Sequence, residues 1–178
     1  MARVSISGLI FLGWLLGPAV VQAEPFSIDL NIEAGKVSKT AHADTAPPSA
    51  TPKARPVLET KAGDQITIRW KLTNTDPKST FNDVLVHFYV VREGTAGQRA
   101  VPRLDKDVVA ETALTMDFKP KDKAEGSVQI HIAQPGSYLV RLEPIATGVC
   151  KVGRAPFAAL DLVIRQKPAQ PAVKTPKP

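Results

Sequence analysis

Along residues 26–33 every second position is apolar: Phe26, Ile28, Leu30 and Ile32 alternate with Ser27, Asp29, Asn31 and Glu33. A period of two puts one residue set on each face of an extended chain, so the pattern predicts a half-buried strand. The clearest instance follows at 66–73, where Ile66, Ile68, Trp70 and Leu72 alternate with Thr67, Arg69, Lys71 and Thr73. Val128, Ile130 and Ile132 repeat it around Gln129 and His131. Asp83–Val91 is apolar on both faces, which predicts a strand in the middle of a sheet. Val57–Thr60, Val108–Phe118, Tyr138–Leu142 and Phe157–Ile164 complete the set, the third-last as one strand or a strand pair. Turn residues separate them: Lys61–Asp64, Asn74–Thr80 with its Asp76-Pro77 step, and Gly148–Pro156. No helical period of 3.6 runs through the body. About seven to eight short strands at spacings near ten residues predict an all-β antiparallel sandwich over residues 57–164.

Composition divides the rest of the chain. Its 178 residues include 16 prolines, which argue against a helical body. Val37–Pro56 is rich in Ala, Pro, Ser and Thr and reads as a flexible linker, leaving 24–36 as a separate N-terminal strand segment. That segment is expected to join the sheet across its linker or to pair with another chain. Residues 1–23 begin with Arg3, run apolar through Gly8–Leu16, break at Gly17-Pro18 and end Val21-Gln22-Ala23. This is the layout of a cleaved export signal, with the cut after Ala23 and an uncleaved anchor as the alternative. The apolar run is shorter than the roughly 20 residues a membrane-crossing helix needs. The expected location is therefore periplasmic or secreted, with no integral span after cleavage.

Charge changes meaning once it is placed. The formal net charge is +6, yet residues 165–178 carry Arg165, Lys167, Lys174 and Lys177 and no acid, while the body is near neutral. A near-neutral fold argues against a nucleic-acid-binding face. The tail is Pro- and Lys-rich with little to bury and reads as disordered, with weak contact to an anionic surface as its available role.

The stretch Gly63-Asp64-Gln65-Ile66-Thr67-Ile68-Arg69-Trp70-Lys71-Leu72-Thr73-Asn74 resembles the second strand of bacterial immunoglobulin-like or fibronectin type III-like domains. Pro135-Gly136-Ser137-Tyr138-Leu139-Val140 is similar to their penultimate strand. The resemblance implies an immunoglobulin-like sandwich with a tyrosine corner, the Tyr138 hydroxyl bonding back to nearby backbone. Val140 stands where an antibody domain has its second Cys, and Trp70 lies on the second strand rather than the third. The resemblance therefore extends to the broad superfamily and implies a fold without an activity.

Chemistry-bearing motifs are scarce. The sequence holds no phosphate loop, dinucleotide fingerprint, GxSxG, HExxH or CxxC, and it predicts a non-catalytic chain without a cofactor. His87 and His131 lie on different predicted strands, and with Cys150 they form the candidate set for a metal or small-ligand site, the competing functional class. Cys150 itself is open to three roles: a buried small hydrophobe, a thiol activated by Lys151 and Arg154, or an intermolecular bridge. Loops 74–82 and 146–156 would cluster at one pole of such a sandwich. They gather Asp76, Lys78, Cys150, Lys151 and Arg154 as the candidate interaction patch, with the Arg92–Asp107 segment (Arg92, Arg99, Arg103) as a second surface. The expected function is an accessory or protein-interaction module of a cell-envelope or periplasmic assembly, its partner another envelope protein.

Overall fold

Apolar alternation becomes two facing sheets in the computed structural model, which describes residues 25–43, 54–97, 106–146 and 156–167. Nine strands are present: β1 (Phe26–Ala34), β2 (Val37–Ala43), β3 (Val57–Lys61), β4 (Gln65–Asn74), β5 (Phe81–Glu93), β6 (Val108–Phe118), β7 (Lys123–His131), β8 (Gly136–Ile145) and β9 (Ala158–Arg165). One sheet has the order β2-β1-β4-β7 and the other β3-β9-β8-β5-β6. All neighbours are antiparallel except β3 and β9, which run parallel. The fold is an all-β sandwich, as the alternation predicts.

The inward sets meet in one core. Phe26, Ile28, Leu30 and Ile32 of β1 are fully buried, as are Ile66, Ile68 and Leu72 of β4. Across from them lie Val140 and Leu142 of β8, Leu160 and Leu162 of β9, and Val90 of β5. At one end Phe26 stacks against Phe81 and Phe118, each ring centroid 5.3 Å away. Full burial of a side chain of this size stabilises by roughly 1.5–3 kcal/mol, so the inward rows alone account for much of the fold's cohesion.

One expectation is corrected and two open ones are resolved. Residues 37–43 are not linker but strand β2, joined to β1 by the two-residue turn Gly35-Lys36. Gly35 sits at φ +60°, the first central position where a tight hairpin turn favours glycine. The misreading has a physical cause: β2 is an edge strand, and only Ala41 of its seven residues is buried. Its register is held by the backbone ladder and by polar pairs, Asn31 Nδ2 donating to Thr40 Oγ1 at 3.0 Å and His42 to Asp29 at 2.7 Å. Residues 44–53 of the expected linker lie outside the described residues. Second, of the two outcomes expected for the N-terminal segment it takes the first and joins the sheet: β1 lies between β2 and β4 and supplies four of the most buried core side chains. Third, Val108–Phe118 is one strand, the first of the two readings the sequence left open, and β1 and β2 bring the count among the described residues to nine. The expected export signal at residues 1–23 and the tail beyond Lys167 fall outside the described residues.

The tyrosine corner is formed. Tyr138, 1% exposed, donates its hydroxyl to the Gln134 carbonyl at 2.8 Å, tying the start of β8 to the loop before it. Tyr138→Phe keeps the ring and orphans that carbonyl. It should lower unfolding free energy by about 1–2 kcal/mol, read from the urea midpoint at unchanged m-value.

Candidate interaction surface

The expected pole divides on inspection. In the β4–β5 loop, Asp76 Oδ1 accepts from the backbone N–H of Lys78 at 2.8 Å and of Ser79 at 3.0 Å. Those bonds hold its carboxyl below the usual Asp range. Asn74, fully buried, donates Nδ2 to the Ser79 and Lys119 carbonyls, both at 2.9 Å, and accepts from Asp76 N–H at 3.0 Å. Asp76 therefore builds its own turn, and Lys78 alone of this pair projects into solvent. Cys150, Lys151 and Arg154 lie outside the described residues, as do Arg99 and Arg103. Arg92 lies against the opposite loop, its guanidinium donating to Gln134 Oε1 at 3.3 Å and to the Pro135 carbonyl at 3.4 Å.

The histidines are not brought together. His87 lies on β5 in the five-stranded sheet and His131 at the end of β7 in the other. His87 Nε2 meets Glu111 at 2.7 Å, its Nδ1 is 4.0 Å from Glu143, and its ring stands edge-on to Tyr89 at 4.8 Å. Among the described residues no group of three or more His, Cys, Asp or Glu is arranged to hold a metal ion. Around His87 the outer face continues as a polar-aromatic cluster. Arg141 pairs with Glu143 and stacks on Phe157, its Cζ 3.9 Å from the ring centroid. The Tyr89 hydroxyl is buried beside these groups, and burial pushes its pKa up.

Further along the same outer face lies a charge cluster that the alternation did not reveal. Arg55, ahead of β3, sends Nε to Asp161 Oδ1 at 2.6 Å and Nη2 to both Glu93 oxygens at 2.9 and 2.7 Å. All three residues are buried. The Gly97 N–H donates to the second Asp161 oxygen, and the Asp161 N–H to the Pro56 carbonyl at 2.9 Å. The cluster thereby fastens the chain entering β3 and the chain leaving β5 to the middle of β9. Its sequence signal was available: Asp161 is the one charged residue within the apolar run Ala158–Ile164, and a buried acid requires a partner.

Two carboxylates facing one guanidinium cannot both be ionised cheaply. Burial first, and then the Asp161 charge, push the Glu93 pKa up to about 7 against the pull of Arg55. The folded protein thus holds this proton at pH values where the unfolded chain, with an ordinary Glu near 4.5, has released it. Below about pH 4.5 the group is protonated in both states and costs nothing; between there and about 7 the unfolded state gains by releasing its proton. Stability carried by Glu93 therefore falls as pH rises through that window, by about 1.4 kcal/mol per unit of difference. Glu93→Gln should flatten the decline between pH 5 and pH 8, measured by urea unfolding at each pH.

The other distinctive surface is an edge. Each sheet has two: β2 and β7 in one, β3 and β6 in the other. β2 carries Lys39, β3 Lys61 and β7 Lys123, the kind of residue that discourages pairing with another chain. β6 is the longest of these four edges at 11 residues and contains neither Lys, Arg nor Pro. Of the five exposed large apolar residues among those described, Val108 (41%), Val109 (48%) and Leu114 (46%) lie on it. Leu114 points toward the core side, opposite Val86, which is only 2% exposed. Leu114 thus overhangs the sandwich, where Met116 on β6 and Val128 and Ile130 on β7 are half-buried.

No family model matches the chain, and no curated protein matches it. Among solved structures it is similar to the C-terminal domain of Wzt, at 12% identity over 82% of this chain and 77% of that one, with a TM-score of 0.45. It is also similar to a CARDB domain from Pyrococcus furiosus, at 10% identity over 79% of this chain and 96% of that one, with a TM-score of 0.39. The soluble domain of PmoD from Methylocystis sp. is similar at 12% identity, over 78% and 90%, with a TM-score of 0.40. The chain's own strand order makes it a sandwich of the broad immunoglobulin-like kind.

Proposed function

We propose that this chain is a non-catalytic accessory module of a cell-envelope assembly that takes its partner by strand addition along β6. The observation that carries the reading is the long edge of β6, free of Lys, Arg and Pro, which holds most of the exposed large apolar side chains among the described residues. A free edge offers unpaired N–H and C=O groups to an incoming strand, and side chains on its two faces set the choice of partner. The export-like first 23 residues support the envelope setting, and no helix among the described residues is long and apolar enough to cross a membrane.

A photo-crosslinking side chain at Thr112, in the middle of β6, tests this in envelope fractions of the cells that make the protein. A discrete adduct is expected from position 112 and none from Gln129 on β7, and Leu114→Lys should reduce the first at least tenfold. Equal adducts from both positions, or capture indifferent to Leu114→Lys, would overturn the role of β6.

A further inference from the structure

We infer that the strand β6 accepts is β6 of a second copy, joined antiparallel about a two-fold axis through Ala113, so that two five-stranded sheets become one of ten. The inference rests on β6 being the partner edge and names the partner.

Geometry limits the registers to a few. A two-fold axis perpendicular to the sheet keeps each side chain on its own face, so a residue meets only residues an even number of positions away. Centring on Ala113 pairs the whole strand. It sets Ala110 opposite Met116, Thr112 opposite Leu114, Glu111 opposite Thr115 and Val109 opposite Asp117, each pair occurring twice. No like charges face one another, and the residue on the axis is small and exposed. Moving the axis to Leu114 would set Glu111 against Asp117, a like-charged pair that destabilises directly opposed strands.

The strand is also regular where the pairing needs it. The register irregularities between β5 and β6 fall at its two ends, between Phe81 and Val84 and between Val90 and Val91. Asp83 and Asp107, both at positive φ, lie at those same ends. The stretch Ala110–Met116 between them is paired without interruption to β5 and offers an equally regular ladder on its other side. Across the axis the overhanging Leu114 would be covered by Thr112 of the second copy, with Met116 against Ala110. A β-edge dimer of this kind closes on itself, because each copy has one such edge and the other three carry Lys.

Cysteine crosslinking in the purified chain tests the register, in a background with Cys150→Ser. Ala113→Cys places two thiols opposite each other across the axis, at the 4.5–5.5 Å Cα separation of antiparallel pairs, within disulfide reach. It should form a covalent dimer under mild oxidation. Thr115→Cys, which faces Glu111, should form at least tenfold less. Native mass spectrometry should find twice the chain's mass for the unmodified protein and a monomer for Leu114→Lys. A monomeric unmodified protein with no Ala113→Cys dimer overturns self-pairing. The position 112 adduct in envelope fractions then separates the two readings. Its presence, with a mass other than this chain's, leaves β6 as the edge for a different protein, and its absence removes both. Species larger than a dimer would overturn the closed two-fold arrangement.

Discussion

Arg55→Ala should lower unfolding free energy by about 3–5 kcal/mol at pH 8. The substitution leaves Glu93 and Asp161 buried with their shared guanidinium gone. A buried pair contributes little net stability when intact, because desolvation offsets most of the attraction, but removing one partner exposes the full penalty on the other. Two carboxylates share the loss here. The deficit should therefore shrink toward pH 5, where Glu93 takes up a proton and one of the two charges disappears. The double variant Arg55→Ala/Glu93→Gln should recover part of the loss at pH 8. Urea titrations of the three proteins at both pH values check this; a deficit independent of pH would show that packing of the arginine stem, not charge, is what matters at the site.

Gly126→Ala should be nearly as damaging although it adds a single methyl. Gly126 on β7 lies opposite Trp70 on β4, and the indole lies across the glycine. A Cβ at position 126 would come within 2.5 Å of Trp70 Cζ2 and 2.6 Å of its Cε2, distances that a buried ring cannot accommodate in place. Either the indole leaves its rotamer or β7 moves off the sheet edge, at a cost of about 2–3 kcal/mol. Near-ultraviolet circular dichroism should change, since Trp70 is the one tryptophan among the described residues. Trp70→Leu/Gly126→Ala should restore part of the stability by removing the obstruction, whereas a purely backbone effect of losing glycine would not be rescued.

These two sites mark the boundary of what alternation can say. Strands β1, β4 and β7 were legible because one face of each meets the core and the other meets water, so burial is written as a period of two. Tyr138 was legible through the resemblance of Pro135–Val140 to an immunoglobulin-like penultimate strand, and its hydroxyl partner, the Gln134 carbonyl, lies four residues away. β2 was not, since an edge strand is specified by its neighbour's backbone and needs no apolar face of its own. The Arg55–Glu93–Asp161 cluster joins positions up to 106 residues apart, and a local pattern carries no information about such a pairing beyond the oddity of Asp161 in an apolar run. Gly126 carries no signal of its own in the sequence; its purpose appears only with the ring of Trp70 against it. For the expected pole, Asp76 is taken up by its own turn, while β6 drew no attention as an edge because strand order is not visible in a single strand's residues.

The place of β9 bears on when the molecule can fold at all. The last strand is not an edge: it lies between β3 and β8, and Leu160, Leu162 and Ile164 are in the core. Until residue 165 is free to move, β3 has no neighbour and β8 lacks one side of its ladder. A chain still emerging from a ribosome, or threaded through a narrow pore, therefore cannot complete the five-stranded sheet. The closing contact joins residues about a hundred positions apart, which makes the search for it slow. The topology thus leaves the five-stranded sheet open until β9 has arrived, and closes it in one late step.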